Sequence, residues 1–195
     1  AEGATAPWGV VALRGDGAAG SEIAYCVMTG GSGHKEPLAE YTGMFSIHNV
    51  PGANIHHCLF QDNFIVDDMV HAVNSKVTFS DCEFKRALAD AIDLDMTDGI
   101  VERCLFVGAG NDALDLMTAN VVLQDSILVG SGDKGVSVGE GTNTLLINVA
   151  VRNCLIGVQT KDRSMALLYN CTLEGNDAAI DATQKNWRYG QGGSA

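Results

Sequence analysis

Apolar residues alternate with small or polar ones in short bursts along this chain, and the bursts recur at a fixed step. DMVHAV (68–73), DAIDLD (90–95), DALDLM (112–117) and KGVSVG (134–139) stand 22 residues apart, and IGVQTK (156–161) and AAIDAT (178–183) continue the series. GMFSIH (43–48) leads the column, 25 residues upstream. Alternation with a period of two is strand patterning, and none of these segments carries the i, i+3, i+4, i+7 apolar set of a helix. A second column runs through YCVM (25–28), HCLF (57–60), DCEF (81–84), RCLF (103–106), DSIL (125–128), NVAV (148–151) and NCTL (170–173). Short turns rich in Gly, Asn, Asp and Ser join the two columns.

A unit this short cannot bury its inner side alone, so its copies must stack. The repeat predicts an all-β chain, a single parallel β-helix (solenoid) domain over 1–195 with about seven coils. The excess residues GGSGHKEPLAEY (30–41) read as a loop extruded from the first turn. WGVVAL, from Trp8, starts the stack. The tail 184–195 breaks the repeat, and its Trp187 and Tyr189 are expected to fold over the open end of the last coil. The opening AEGATAP reads as a mature start, with no signal-peptide pattern.

Cysteine changes the picture less than its count of six suggests. Five of the six, Cys26, Cys58, Cys82, Cys104 and Cys171, occupy one position of the second column. Parallel side chains on stacked rungs fit the disulfide torsion poorly, so mostly free thiols are expected. No CxxC or Cys/His spacing marks a zinc site.

Charge sharpens the picture. The chain has 24 Asp+Glu against 12 Lys+Arg, a formal charge of −12. That balance argues against a nucleic-acid partner, whose phosphates need Lys and Arg. No apolar run is long enough to insert in a membrane. Strand parity places Ile92, Leu94, Leu114 and Leu116 inside and Ala91, Asp93, Asp95, Ala113 and Asp115 outside. The outward column is then Ser46, His71, Asp93, Asp115, Ser137, Gln159 and Asp181. His71, Asp93, Asp115, Ser137 and Gln159 are the candidate substrate-binding residues.

Asp68, Asp90, Asp112 and Lys134 run alongside at the preceding turn, so the acids crowd one face of a few coils. Like charges on adjacent strands repel, and a hard cation is the economical remedy. Ca²⁺ takes six to eight oxygens, and Asp90, Asp93, Asn111, Asp112 and Asp115 can converge on one point as its ligands. The plainer account has these Asp residues capping turns through their own backbone, Lys134 as counter-ion of Asp112, and Lys161 as an exposed partner of Asp162. A His71–Asp93 contact would tune His71 for proton transfer, against an ordinary surface histidine. His48, His56 and His57 hint at a transition metal, although parity divides them between faces.

The pattern G-[IV]-x-[LIV], followed some ten residues later by [IV]-x-x-[NC]-x-[FIL], resembles the right-handed parallel β-helix superfamily, which includes pectate lyases, polygalacturonases and non-catalytic modules. GDKGVSVGE, NCLIGVQTKD and KNWRYGQGG also look like β-helix domains found beside spore-coat-H-kinase-like domains in extracellular bacterial proteins. ADAID (89–93), GNDALDL (110–116), DKGVSVG (133–139) and GVQTK (157–161) follow the order of the polygalacturonase strand motifs. In that resemblance Asp90, Asn111, Asp112 and Lys161 match, while Lys134 stands in place of the family's His and Gln159 in place of its Arg. The Asp clusters also resemble those that hold Ca²⁺ in β-helix pectate lyases, where a Lys is the base. The resemblance thus implies Lys134, Lys161 and Asp112 as catalytic candidates.

Three functions fit. The first is an extracellular or cell-surface bacterial module that interacts with a polysaccharide, acidic in the lyase comparison, as part of a larger multidomain protein. The second is a Ca²⁺-dependent uronan lyase or a related carbohydrate-active enzyme. The third is a structural spacer or assembly domain.

Overall fold

The computed structural model describes residues 6–195, so most of the AEGATAP start lies outside the described residues. The repeating bursts form strands that pair only in parallel, rung upon rung. Val11–Arg14, Gly43–His48, Asp68–Val73, Ile92–Asp95, Leu114–Met117, Lys134–Gly139, Ile156–Lys161 and Ala178–Thr183 make an eight-stranded sheet in that order. Two further sheets of seven strands each complete every coil. The result is a parallel β-solenoid built on the 22-residue step, as the repeat predicts. Among the described residues no helix is long and apolar enough to cross a membrane.

Each coil turns its corners on residues with left-handed backbone. Along one corner these are Asn49, Asn74, Met96, Thr118 and Glu140, with φ of 57, 46, 48, 54 and 55°. Asn tolerates that conformation, whereas Met and Thr do so at a cost. The stack imposes it, because the corner N–H groups of Asn74 and Met96 bond the carbonyls of Asp95 and Met117 on the next rung.

The inward columns are layers of like residues. Phe45, Phe60, Phe79, Phe84 and Phe106 are fully or almost fully buried. Phe84 stacks on Phe60 and Phe106 at ring-centroid distances of 5.2 and 4.7 Å and meets Phe79 edge-on at 5.9 Å. The Cys column lies beside them, and all six cysteines are free thiols, as expected. Each of Cys58, Cys82 and Cys104 points its sulfur at the carbonyl two residues before it, at 3.3 Å.

Three expectations change. Ala91 and Ala113 do not face out; they are 2% and 1% exposed. The chain bends at the start of each strand, which breaks the alternation and turns these two methyl groups inward. Trp187 does not cover the end of the stack. It stands 81% exposed on a short 3₁₀ turn, Trp187–Tyr189. Instead the last residues of the tail add to the stack, with Ser194 bridging to Met165 and Ala166 donating to the Ser194 carbonyl at 3.0 Å. The 30–41 segment is an extruded β-hairpin, His34–Glu36 against Ala39–Tyr41, rather than an irregular loop. Its return strand ends on Tyr41, which packs on His48 at the margin of the eight-stranded face.

Candidate functional site

The eight-stranded face carries the outward column in the expected register. Ser46 pairs with His71, His71 with Asp93, Asp93 with Asp115, Asp115 with Ser137, Ser137 with Gln159 and Gln159 with Asp181. Parallel rungs lie about 4.8 Å apart, so side chains of neighbouring rungs are within reach of one another.

The acids just before the strands form a ladder of their own. Asp90 Oδ1 accepts from the backbone N–H of Asp112 and from the Asn111 amide, both at 2.8 Å. Asp112 Oδ1 repeats the contact one coil on, accepting from the Lys134 N–H at 2.9 Å. Lys134 Nζ lies 3.4 Å from the same oxygen and also meets Asp133. These carboxylates therefore cap the next rung, 22 residues away, rather than their own turn. Burial pushes Asp90 up to about 7, against the hydrogen bonds it accepts. Burial also raises Asp112, although the Lys134 charge opposes it. For Lys134, burial works against the ammonium, but the Asp133 and Asp112 carboxylates outweigh it and its pKa rises.

One rung nearer the N-terminus the ladder breaks. Asp68 is buried, and its Oδ2 accepts from the Thr42 hydroxyl at 2.7 Å. Thr42 Oγ1 is also 2.8 Å from His71 Nδ1. The other ring nitrogen of His71 faces Asp93 Oδ2 at 3.8 Å and Asp95 Oδ2 at 3.6 Å. Ligand atoms of Asp68, His71 and Asp93 all lie within 4.8 Å of one another. Burial, and then the charges of Asp68, Asp95, Asp115 and Asp90, push Asp93 up to about 9. Asp68 rises to about 6, again chiefly through burial. His48 packs edge-on against His71 at 5.4 Å and is lowered to about 4 by burial and by the neighbouring His71 and Arg14.

At the other end of the face lysines join the acids, with Asp133 among them. Lys134, Gln159, Lys161, Asp181 and Lys185 line a groove of about 470 Å³. Lys161 is only 6% exposed. Its ammonium donates to Ser137 Oγ at 2.9 Å, and among the described residues it has no ion pair. The expected partner, Asp162, is itself buried and accepts from the backbone N–H groups of Lys185 and Asn186 at 2.9 and 2.7 Å. Lys161 is therefore not an exposed partner of Asp162: the strand carries its stem over Ser137 and Gly139, while Asp162 turns to hold the tail.

A right-handed β-helix family model matches residues 68–188, well over half of the chain. The chain belongs to the right-handed β-helix family. No curated protein matches it. The fold of this β-helix is thereby fixed, and its activity must be argued from the site, because such folds host unrelated functions.

The β-helix brings the expected residues onto one face but divides them by role. Asp90, Asn111 and Asp112 are engaged in rung-to-rung bonds. Ser137 is buried beneath Lys161, and Gln159 donates to Asp181 at 2.6 Å. Asp93 and His71 remain free to meet a ligand, with Asp115 on the next rung. The three histidines do not gather: His56 and His57 lie with Tyr25 and Glu22, while His48 joins His71. Thr42 and Lys185 enter the site from outside the repeat, one following the hairpin and the other in the tail. No periodic signal marks either.

Proposed function

We propose that this β-helix is a glycan-interacting module, extracellular or cell-surface in setting and part of a larger bacterial protein, whose eight-stranded face takes an acidic polysaccharide. The observation that carries the reading is Lys161, an almost wholly buried ammonium with a single hydroxyl partner. Lysine is almost never buried without a partner, and an unpaired buried charge is costly. A uronate carboxylate in the groove would supply the missing anion, with Lys134 and Lys185 on its walls. The hydroxyls of the sugar would then meet Gln159, Asp115 and Asp93 along the column. A calcium ion over Asp90, Asp93, Asn111, Asp112 and Asp115 would complete the attraction between an acidic face and an acidic chain.

A catalytic reading rests on a different observation. Asp93, held near 9, is an acid that keeps its proton at neutral pH, as a general acid must. In that reading the β-helix acts on uronan as a lyase or hydrolase, with Lys134, Lys161 and Asp112 as the implied groups.

Native gels cast with homogalacturonan, alginate or a neutral glucan separate the readings. Retardation in the acidic gels alone, weakened by salt, is expected. Equal mobility in all three would leave only the spacer reading. Ultraviolet absorbance of unsaturated uronate ends during incubation reports lyase activity, and a silent assay removes it. Lys161→Met keeps the buried stem and drops the charge. Without ligand it is expected to melt no lower than the parent, because replacing a poorly compensated buried ion by an apolar isostere is neutral or stabilising. A clear drop in melting temperature would mean that the ammonium is satisfied within the fold.

A further inference from the structure

We propose that Asp68, His71 and Asp93 form a binding site for a zinc-class divalent ion, with Asp95 at its rim. The proposal does not depend on the glycan reading, since it needs no sugar, although the two share Asp93.

Proton placement comes first. The Thr42 hydroxyl has one hydrogen, and Asp68 Oδ2, a carboxylate oxygen 2.7 Å away, takes it. Toward His71 Nδ1, 2.8 Å away, Thr42 can then only accept, so Nδ1 carries the ring proton. In the neutral ring the lone pair therefore sits on Nε2, aimed at Asp93 and Asp95 at 3.8 and 3.6 Å. Those separations are too long for hydrogen bonds, so the lone pair has no partner within the fold. A metal ion between the ring and the carboxyl groups would give it one. A histidine that binds metal through one nitrogen commonly donates from the other to fix its tautomer, and Thr42 provides that contact.

The spacing also suits a metal. Zinc bonds of roughly 2.0–2.2 Å to nitrogen and oxygen place tetrahedral donors about 3.4 Å apart. His71 Nε2 and Asp93 need to close by about 0.4 Å, and the three-residue set, within 4.8 Å throughout, by at most about 1.4 Å. Three protein donors on a partly open face leave a fourth position for water or a ligand. His48 offers an independent sign. Its Nε2 is buried and has no partner, and its ring lies edge-on to His71 at 5.4 Å. His48 thus borders His71 with one ring nitrogen unpaired.

Donor chemistry selects the ion. Calcium prefers a shell of six to eight oxygens at longer bonds, whereas imidazole favours zinc and its neighbours. Calcium at the oxygen-only set and zinc here would compete for Asp93.

Calorimetry on EDTA-stripped protein, with zinc, manganese and calcium chlorides in turn, tests this. One zinc ion per chain, bound at least tenfold more tightly than calcium, is expected, together with a rise in melting temperature. His71→Ala should weaken zinc at least about 100-fold, while Lys161→Met should leave it unchanged. Because His71→Ala can also disturb folding, cobalt(II) is titrated into the unmutated protein as well. Tetrahedral visible bands without a near-ultraviolet thiolate band support the site. A thiolate band would assign the metal to the cysteines and overturn the proposal. So would calcium binding as tight as zinc, or no saturable zinc binding.

Discussion

Phe84→Ala should lower the unfolding free energy by about 3–5 kcal/mol, the range for emptying a buried phenyl site. Phe84 has no exposed surface and touches three other rings, on its own coil and on the coils to either side. Neighbours in a stacked core are held by backbone ladders, so they cannot collapse into the cavity, and the upper part of the range applies. The same loss divides the stack. Stability in a solenoid is a sum over repeats and their interfaces, so a defect in a middle rung uncouples the coils on either side. Chemical denaturation should show an earlier midpoint and a broader transition. An unchanged midpoint would mean that the phenyl column does not organise the core.

The second large effect concerns pH. Asp93 sits near 9 in the fold against an ordinary 3.8, with Asp90 near 7 and Asp68 near 6. A raised carboxyl pKa means that the folded state binds more protons than the unfolded one between the two values. Stability from these groups is then fully present below about pH 4 and falls as pH rises toward 9. Metal-free protein should therefore melt progressively lower from pH 5 to pH 9. Asp93→Asn, which mimics the neutral carboxyl, should raise stability at pH 8–9 by about 1–3 kcal/mol, the scale of relieving a poorly compensated buried charge. The difference should vanish near pH 4. Calorimetric melting in EDTA across that range checks the sign, and a variant less stable than its parent at pH 9 would reverse it.

Much of this architecture was readable from spacing alone. The 22-residue step fixed which residues share a rung, and the whole outward column from Ser46 to Asp181 appears in the register that parity predicts. Parity failed at Ala91 and Ala113 because a bend, not an extended strand, occupies those positions. Trp187 was misread because an aromatic residue after the last repeat suggests a cap, whereas backbone pairing by Ser194 and its neighbours does that work. The roles of the acids were harder to read. In sequence Asp90 and Asp112 read as cation ligands or as caps of their own turns, yet each caps a backbone N–H one coil away. Lys161 beside Asp162 looks like an ion pair, yet the strand ends at Lys161 and Asp162 turns off it with a left-handed φ of 50° to hold the tail. Thr42, which orders Asp68 and His71, stands outside the repeat and has no counterpart on other rungs.

The reading of the face as an acidic-glycan site comes down to Lys161. Isothermal titration of the β-helix with a homogalacturonan oligomer, in parallel with Lys161→Met, measures it directly. Saturable binding by the parent, lost or weakened at least tenfold in the variant, is the predicted result. Equal binding by both proteins, or no heat from the parent, would contradict the account.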